Sequence, residues 1–122
     1  LIHPSANVSK YAQLGRGVVV HMNTVVHPDV TVGDNTVLSY NVSVTHSTHI
    51  GKNCYLAFGV MLGAYTIVED FVFIGIGAIV ISGKVDSIGT FASIGAGAVV
   101  TKSVASYECV AGNPAKFIKT LK

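Results

Sequence analysis

The sequence predicts an all-β fold, a left-handed parallel β-helix with three flat sides, and three observations predict it. From Ile2 onward every sixth residue is Ile, Leu or Val: Val8, Leu14, Val20, Val26, Val32, Leu38, Val44, Ile50, Leu56, Leu62, Val68, Ile74 and Val80. Four residues after most of these stands a small or β-branched residue, as at Ala6, Ala12, Val18, Thr24, Thr36, Thr48 and Thr66. Glycine recurs directly after the aliphatic residue, at Gly15, Gly33, Gly51, Gly63 and Gly75. A period of six is neither the 3.6 of a helix nor plain strand alternation, and its persistence marks a solenoid.

Each repeat reads as a short strand and a corner. Side chains alternate across a strand, so the aliphatic residue and the small residue two places before it point inward, and the remaining pair makes the corner. Three six-residue sides close a coil of eighteen. The interior is narrow, so a large aliphatic alternates with a small residue, and corners need residues tolerant of unusual backbone angles. The six-residue period is associated with left-handed winding, an exception to the right-handed crossover rule. The register breaks once. After Val80 the next aliphatic of the series is Ile88, followed by Ile94 and Val100, with Ala92, Ala98 and Val104 in the small positions. Two residues are inserted near SGKVDS, which predicts a corner loop over 82–87. The solenoid is expected over residues 1–105. Residues 106–122, which include ECVAGNPAKFIKTLK, read as a turn around Gly112-Asn113-Pro114 and a short basic helix that caps the open end.

Composition narrows the function. At 122 residues, half of them hydrophobic, the chain is one domain with a real core. Its longest apolar run, FVFIGIGAIVI over 71–81, falls short of the roughly 18 residues of a membrane span, so no span is expected. A net charge of +2 without a basic stripe argues against nucleic acid as the partner, and Lys116, Lys119 and Lys122 amount to a local anion site at most. Two cysteines, Cys54 and Cys109, make neither a disulfide framework nor a metal spacing, which favours a reducing, cytoplasmic compartment.

The stretch VTHSTHIGKNCY holds the main chemical candidate. His46 lies two places past Val44, at a corner, and the residues one coil away in its column are Pro28 and Ala64, whose small side chains leave the imidazole accessible. Ser82 follows two coils along the same column, about 10 Å away at ~4.8 Å per strand, so the inserted loop can overhang the same groove. His49 points outward between Thr31 and Ile67. From the residues alone, His46 reads either as a solvated corner histidine or as a base. His3 and His21 stack one coil apart and His27 is unpaired; all three read as surface residues. Zinc held by three histidines, as in the γ-class carbonic anhydrases, is a possible alternative, but His21, His46 and His49 do not reproduce that spacing, and no metal is expected. No Ser-His-Asp triad assembles, and GIGAIV and GAGAVV lack the strand-loop-helix context of a dinucleotide site.

The motifs LIHPSANVS, VTHSTHIG, IGIGAIV, IGAGAVVTKSV and VAGNPAK carry a resemblance over the whole chain. It resembles the hexapeptide-repeat acyltransferases, and more narrowly the C-terminal domain of the sialic acid O-acetyltransferase and nucleotide-amino-sugar N-acetyltransferase family of bacterial glycan pathways. The resemblance implies that His46 is the general base, taking a proton from an acceptor amine or hydroxyl as it attacks the acetyl thioester, with a backbone amide at the oxyanion. It implies a homotrimer that binds acetyl-CoA between subunits and a sugar or nucleotide-sugar acceptor. By the same resemblance, Ile76 and Ala96 contact the cofactor through the backbone, Tyr55 stands where the family often has a cofactor-binding histidine, and Asn113 and Lys116 lie near the nucleotide end. The family usually has Asp or Glu after the base, where this chain has Ser47. Family members also carry an N-terminal α/β domain that helps bind the nucleotide sugar, and this sequence starts where that domain would end. A non-catalytic trimerising module is the alternative from another class.

Overall fold

The computed structural model describes residues 1–122 and contains only strands and turns, so it holds no helix long and apolar enough to cross a membrane. Three parallel ladders make the three sides. Face 1 is a six-stranded sheet of β1 (Asn7–Val8), β4 (Val25–Val26), β7 (Ser43–Val44), β10 (Met61–Leu62), β13 (Ile79–Val80) and β16 (Val99–Val100). Face 2 has five strands: β2 (Gln13–Leu14), β5 (Thr31–Val32), β8 (His49–Ile50), β11 (Ile67–Val68) and β14 (Ser87–Ile88). Face 3 has seven, namely β3 (Val19–Val20), β6 (Val37–Leu38), β9 (Tyr55–Leu56), β12 (Phe73–Ile74), β15 (Ser93–Ile94), β17 (Glu108–Ala111) and β18 (Lys116–Thr120). Ladder partners such as Asn7 and Val25, or Gln13 and Thr31, are one coil apart, so each turn of chain stacks on the one before.

The six-residue period becomes one continuous core, to which each face contributes an inward column of side chains. Leu38, Ile50, Leu56, Leu62, Ile74, Ile88 and Ile94 are completely buried, each contributing about 1.5–3 kcal/mol relative to exposure. The small positions fill the corners between them, with Ala78, Ala92 and Ala98 buried as well. Threonines in these slots are buried but paired: the hydroxyls of Thr36, Thr48 and Thr66 donate to the carbonyls of Gly51, Gly63 and Val85 at 2.7, 3.1 and 3.3 Å. No buried side-chain polar atom lacks a partner, which matters because an unpaired one costs about 1–3 kcal/mol. Cys54 belongs to the same set, its thiol donating to the Glu69 carbonyl at 3.0 Å. Burial pushes the Cys54 thiol pKa up, against smaller lowering effects of hydrogen bonds involving Val72 and Thr36.

From Gly17 to Gly97 each corner turns through one residue in the left-handed region. Asn23, Asn35, Asn41, Asn53 and Asp29 take it, as do Gly59, Gly77 and Gly97, residue types for which the conformation is tolerable. Tyr65, Phe71, Phe91 and Tyr107 take it too, at φ between 61° and 65°, although a bulky side chain is a true outlier there. For three of the four the neighbours explain it. Phe71, Phe91 and Tyr107 stack face to face at 4.7 and 5.3 Å, and the Lys122 ammonium lies 5.1 Å from the Tyr107 ring.

Between β13 and β14 the connection spans residues 81–86 rather than four residues, and Ile67 pairs with Ser87. Val85 fills the inward corner slot beside Thr66. The C-terminus corrects the sequence reading, because no capping helix forms. Instead β17 joins face 3 parallel to β15, the chain reverses over Gly112–Ala115, and β18 returns antiparallel to β17. The physical reason is the open ladder edge of β17: a segment this short is marginal as an isolated helix, whereas as a strand its backbone completes an existing sheet.

Candidate functional site

His46 sits where β7 turns toward β8, at the corner between faces 1 and 2, and is exposed. Ser47, the left-handed residue of that corner, brings its hydroxyl to 3.2 Å from His46 Nδ1. The sequence has no carboxylate next to His46 to orient it. The structure supplies a neutral group, which leaves Nε2 as the nitrogen without a partner. Beneath, Thr48 anchors the turn through the Gly63 carbonyl. Tyr65, one coil along, approaches the imidazole edge to face, with ring centroids 5.4 Å apart and planes at 90°.

Ile76 and Ala96 lie at a different corner, between faces 3 and 1. The register of β12 on β15 pairs Ile74 with Ile94 and so stacks Ile76 beneath Ala96. The register of β15 on β17 carries Gly112 to the level above Ala96, where the turn holding Asn113 is tied to face 1 by Val99 N–H to Gly112 O at 2.9 Å and Ala115 N–H to Val99 O at 2.8 Å. Ile76, Ala96 and Asn113 therefore share one corner, with Lys116 opening β18 beside it.

Two features mark this corner. Gly59, Gly77 and Gly97 stack along it as a lane without side chains; a Cβ placed on Gly77 or Gly97 would meet nothing within 4 Å. The N–H groups of Phe58, Ile76 and Ala96 make no hydrogen bond within the chain. At the corner between faces 2 and 3 the equivalent amides of Arg16, Lys52 and Thr90 are occupied by the carboxylates of Asp34, Asp70 and Glu69, while those of Asp34 and Asp70 themselves are open. A lane without side chains leaves room for a ligand to approach the backbone closely.

Tyr55 stands elsewhere again. It projects from face 3, 39% exposed, with its ring stacked on Phe73 at 5.9 Å. Within one chain, then, His46, Tyr55 and the Ile76–Ala96 corner occupy three separate regions, His46 and that corner being divided by the width of face 1. His49 lies outward between Thr31 and Ile67 and is hydrogen-bonded to Thr31 through Nδ1. No three His, Cys, Asp or Glu side chains of one chain converge in a way that could hold a metal. Sequence reasoning missed the Ser47 contact, the open amides and Tyr65. The last had one legible signal, an aromatic residue between Ser47 and Gly83 in a column that also holds Tyr11 and Asp29.

Fold and repeat together define a solenoid of six-residue repeats, and two family models match it: the bacterial transferase hexapeptide (six repeats) over residues 11–46 and the hexapeptide repeat of succinyl-transferase over residues 29–64. The chain carries the hexapeptide repeat of these transferases over residues 11–64. Among solved structures it is similar to the acetyltransferase domain of PglB from Neisseria gonorrhoeae, with TM-score 0.93 and 31% identity over 97% of this chain and 57% of that one. WeeI from Acinetobacter baumannii gives 0.90 and 30%, over 94% and 56%. A histidine-to-alanine variant of GDP-perosamine N-acetyltransferase from Caulobacter crescentus, in complex with CoA and GDP-perosamine, gives 0.77 and 31%, over 97% and 55%. The chain thus spans little more than half the length of these relatives. Comparison with curated proteins gives no match.

Proposed function

We propose that the chain is the left-handed β-helical part of an acetyltransferase that moves an acetyl group from acetyl-CoA to an amine or hydroxyl of a sugar or nucleotide sugar. The observation that carries this reading is the corner between faces 3 and 1, where the open amides of Phe58, Ile76 and Ala96 flank the glycine lane. The relative crystallised with CoA and GDP-perosamine supports both the donor and the acceptor class.

In this reading neutral His46 Nε2 accepts the proton of the acceptor as its nitrogen or oxygen attacks the thioester carbonyl. Ser47 holds Nδ1 and fixes the ring. A free backbone N–H stabilises the oxyanion, and collapse of the tetrahedral intermediate expels the CoA thiolate, which takes the proton back from the imidazolium. Because His46 and the glycine lane belong to different corners, one site requires two copies: His46 from one chain, the lane from a neighbour, in a homotrimer. Tyr55 would reach the cofactor from an adjoining face by donating its phenol. Asn113 and Lys116 would meet the nucleotide end, and the glycan pathway and cytoplasmic setting follow from the same family resemblance.

The rival is a trimerising module without chemistry, favoured by the absence of a carboxylate beside His46. Calorimetric titration with acetyl-CoA separates the two. Saturable binding at about one site per chain, with turnover that His46→Ala removes, supports the transferase. Absence of binding at millimolar cofactor supports the module.

A further inference from the structure

Tyr65 is the one bulky corner residue whose strained conformation the fold does not explain. At φ 62° it is the most exposed aromatic of the chain, at 69%. Phe71, Phe91 and Tyr107 share the conformation but stack on one another. In the Tyr65 column the neighbours are Ser47 on one side and Gly83 on the other, and a Cβ at Gly83 would meet nothing within 4 Å. The ring therefore has no ladder partner. Its one aromatic contact is the edge-to-face approach to His46. Backbone strain retained without a packing return is characteristic of binding and catalytic positions.

We propose that Tyr65 is the acceptor platform of this site: its ring carries the apolar C–H face of a pyranose and presents the sugar's amine or hydroxyl to His46 Nε2. Three features match that ligand. An exposed aromatic ring offers a large, rigid apolar surface with a polar tip at its hydroxyl. The side-chain-free Gly83, at the start of the inserted loop, leaves open the space above the ring that a sugar would fill. Lys84, the next residue and exposed, supplies a cation at the rim for a carboxylate or phosphate on the acceptor. This inference rests on the acetyltransferase reading and adds which residue holds the acceptor.

The test uses tyrosine-ring-labelled protein with acetyl-CoA present. Its five tyrosines are followed by NMR during titration with GDP-perosamine, with the methyl glycoside of glucosamine, and with GDP. Tyr65→Asn, which suits the left-handed backbone, identifies the signal and keeps the fold. The expected result is that the Tyr65 resonance moves with both sugars and not with GDP. In turnover assays Tyr65→Asn raises acceptor KM about tenfold or more with little change in kcat, and Tyr65→Phe restores the low KM. A Tyr65 signal that stays still with both sugars, or moves equally with GDP, overturns the proposal. Failure of acetyl-CoA to bind wild type strikes the acetyltransferase reading instead, because Tyr65 lies on a different corner from the glycine lane.

Discussion

At the scale of single residues, exposure decides what a substitution can do. His46 touches Ser47 and Tyr65 and nothing in the core, so His46→Ala is expected to leave the melting temperature unchanged while lowering acetyl transfer by about 10²–10⁴-fold, as loss of a general base does. Cys54 is the opposite case. Burial raises its pKa above the unfolded value, so the native state keeps a proton that the unfolded chain releases at alkaline pH. Its contribution to stability is therefore present below the unfolded thiol pKa and lost as pH climbs toward the native one. A thiol reagent applied to native protein at neutral pH should modify Cys109, which is partly accessible, and spare Cys54 until denaturant is added. His46 was legible because a V-x-H segment in a known register marks a corner. Its contact with Tyr65 was not, because it joins neighbouring columns on successive coils, and a sequence register lines up only members of the same column.

At the scale of elements, the short strands were readable and the last one was not. Strands β1 to β16 follow from the period, since each pair of residues has one side chain that only the interior can accept. The segment Lys116–Thr120 has no such pattern; every residue of β18 is exposed, and its state is set by the unpaired edge of β17. Glycines give an element-scale prediction. Gly97→Ala and Gly83→Ala both force a Cβ onto a positive φ, at 68° and 76°, and each should destabilise the fold by about 1 kcal/mol in denaturant titration. Only Gly97→Ala places that methyl in the glycine lane beside Ala96, so it alone is expected to weaken acetyl-CoA binding by calorimetry. Equal cofactor affinity in both variants would remove the glycine lane from the cofactor site.

The whole molecule is a stack in which each coil touches its neighbours, and its stability is spread along the axis. Truncating one completely buried residue, as in Leu56→Ala, should still cost about 2–5 kcal/mol in urea unfolding, because a narrow interior cannot collapse onto the cavity. Far-ultraviolet circular dichroism should show strand without a helical component, the C-terminal hairpin included. Met61, Ile67, Phe73 and Ile76 leave apolar surface on all three sides, and in the proposed trimer part of it would be buried against other copies. Sedimentation equilibrium should return three times the 12.7 kDa chain mass. A monomer that nonetheless turns over would break the two-copy site proposed here.

The sequence by itself determined the coil, its register, the two-residue insertion and the corner on which His46 stands, because a solenoid repeats one local rule and each position is defined by counting. Only the tertiary structure decided what neighbouring coils do to one another. It put Ser47 against His46 Nδ1, left the amides of Phe58, Ile76 and Ala96 open while carboxylates filled those of Arg16, Lys52 and Thr90, set Tyr65 beside His46 and turned the last residues into a strand. These outcomes depend on side-chain direction and on which backbone groups remain unpaired once the coils are stacked. Neither quantity has a period, and so neither can be counted off a sequence.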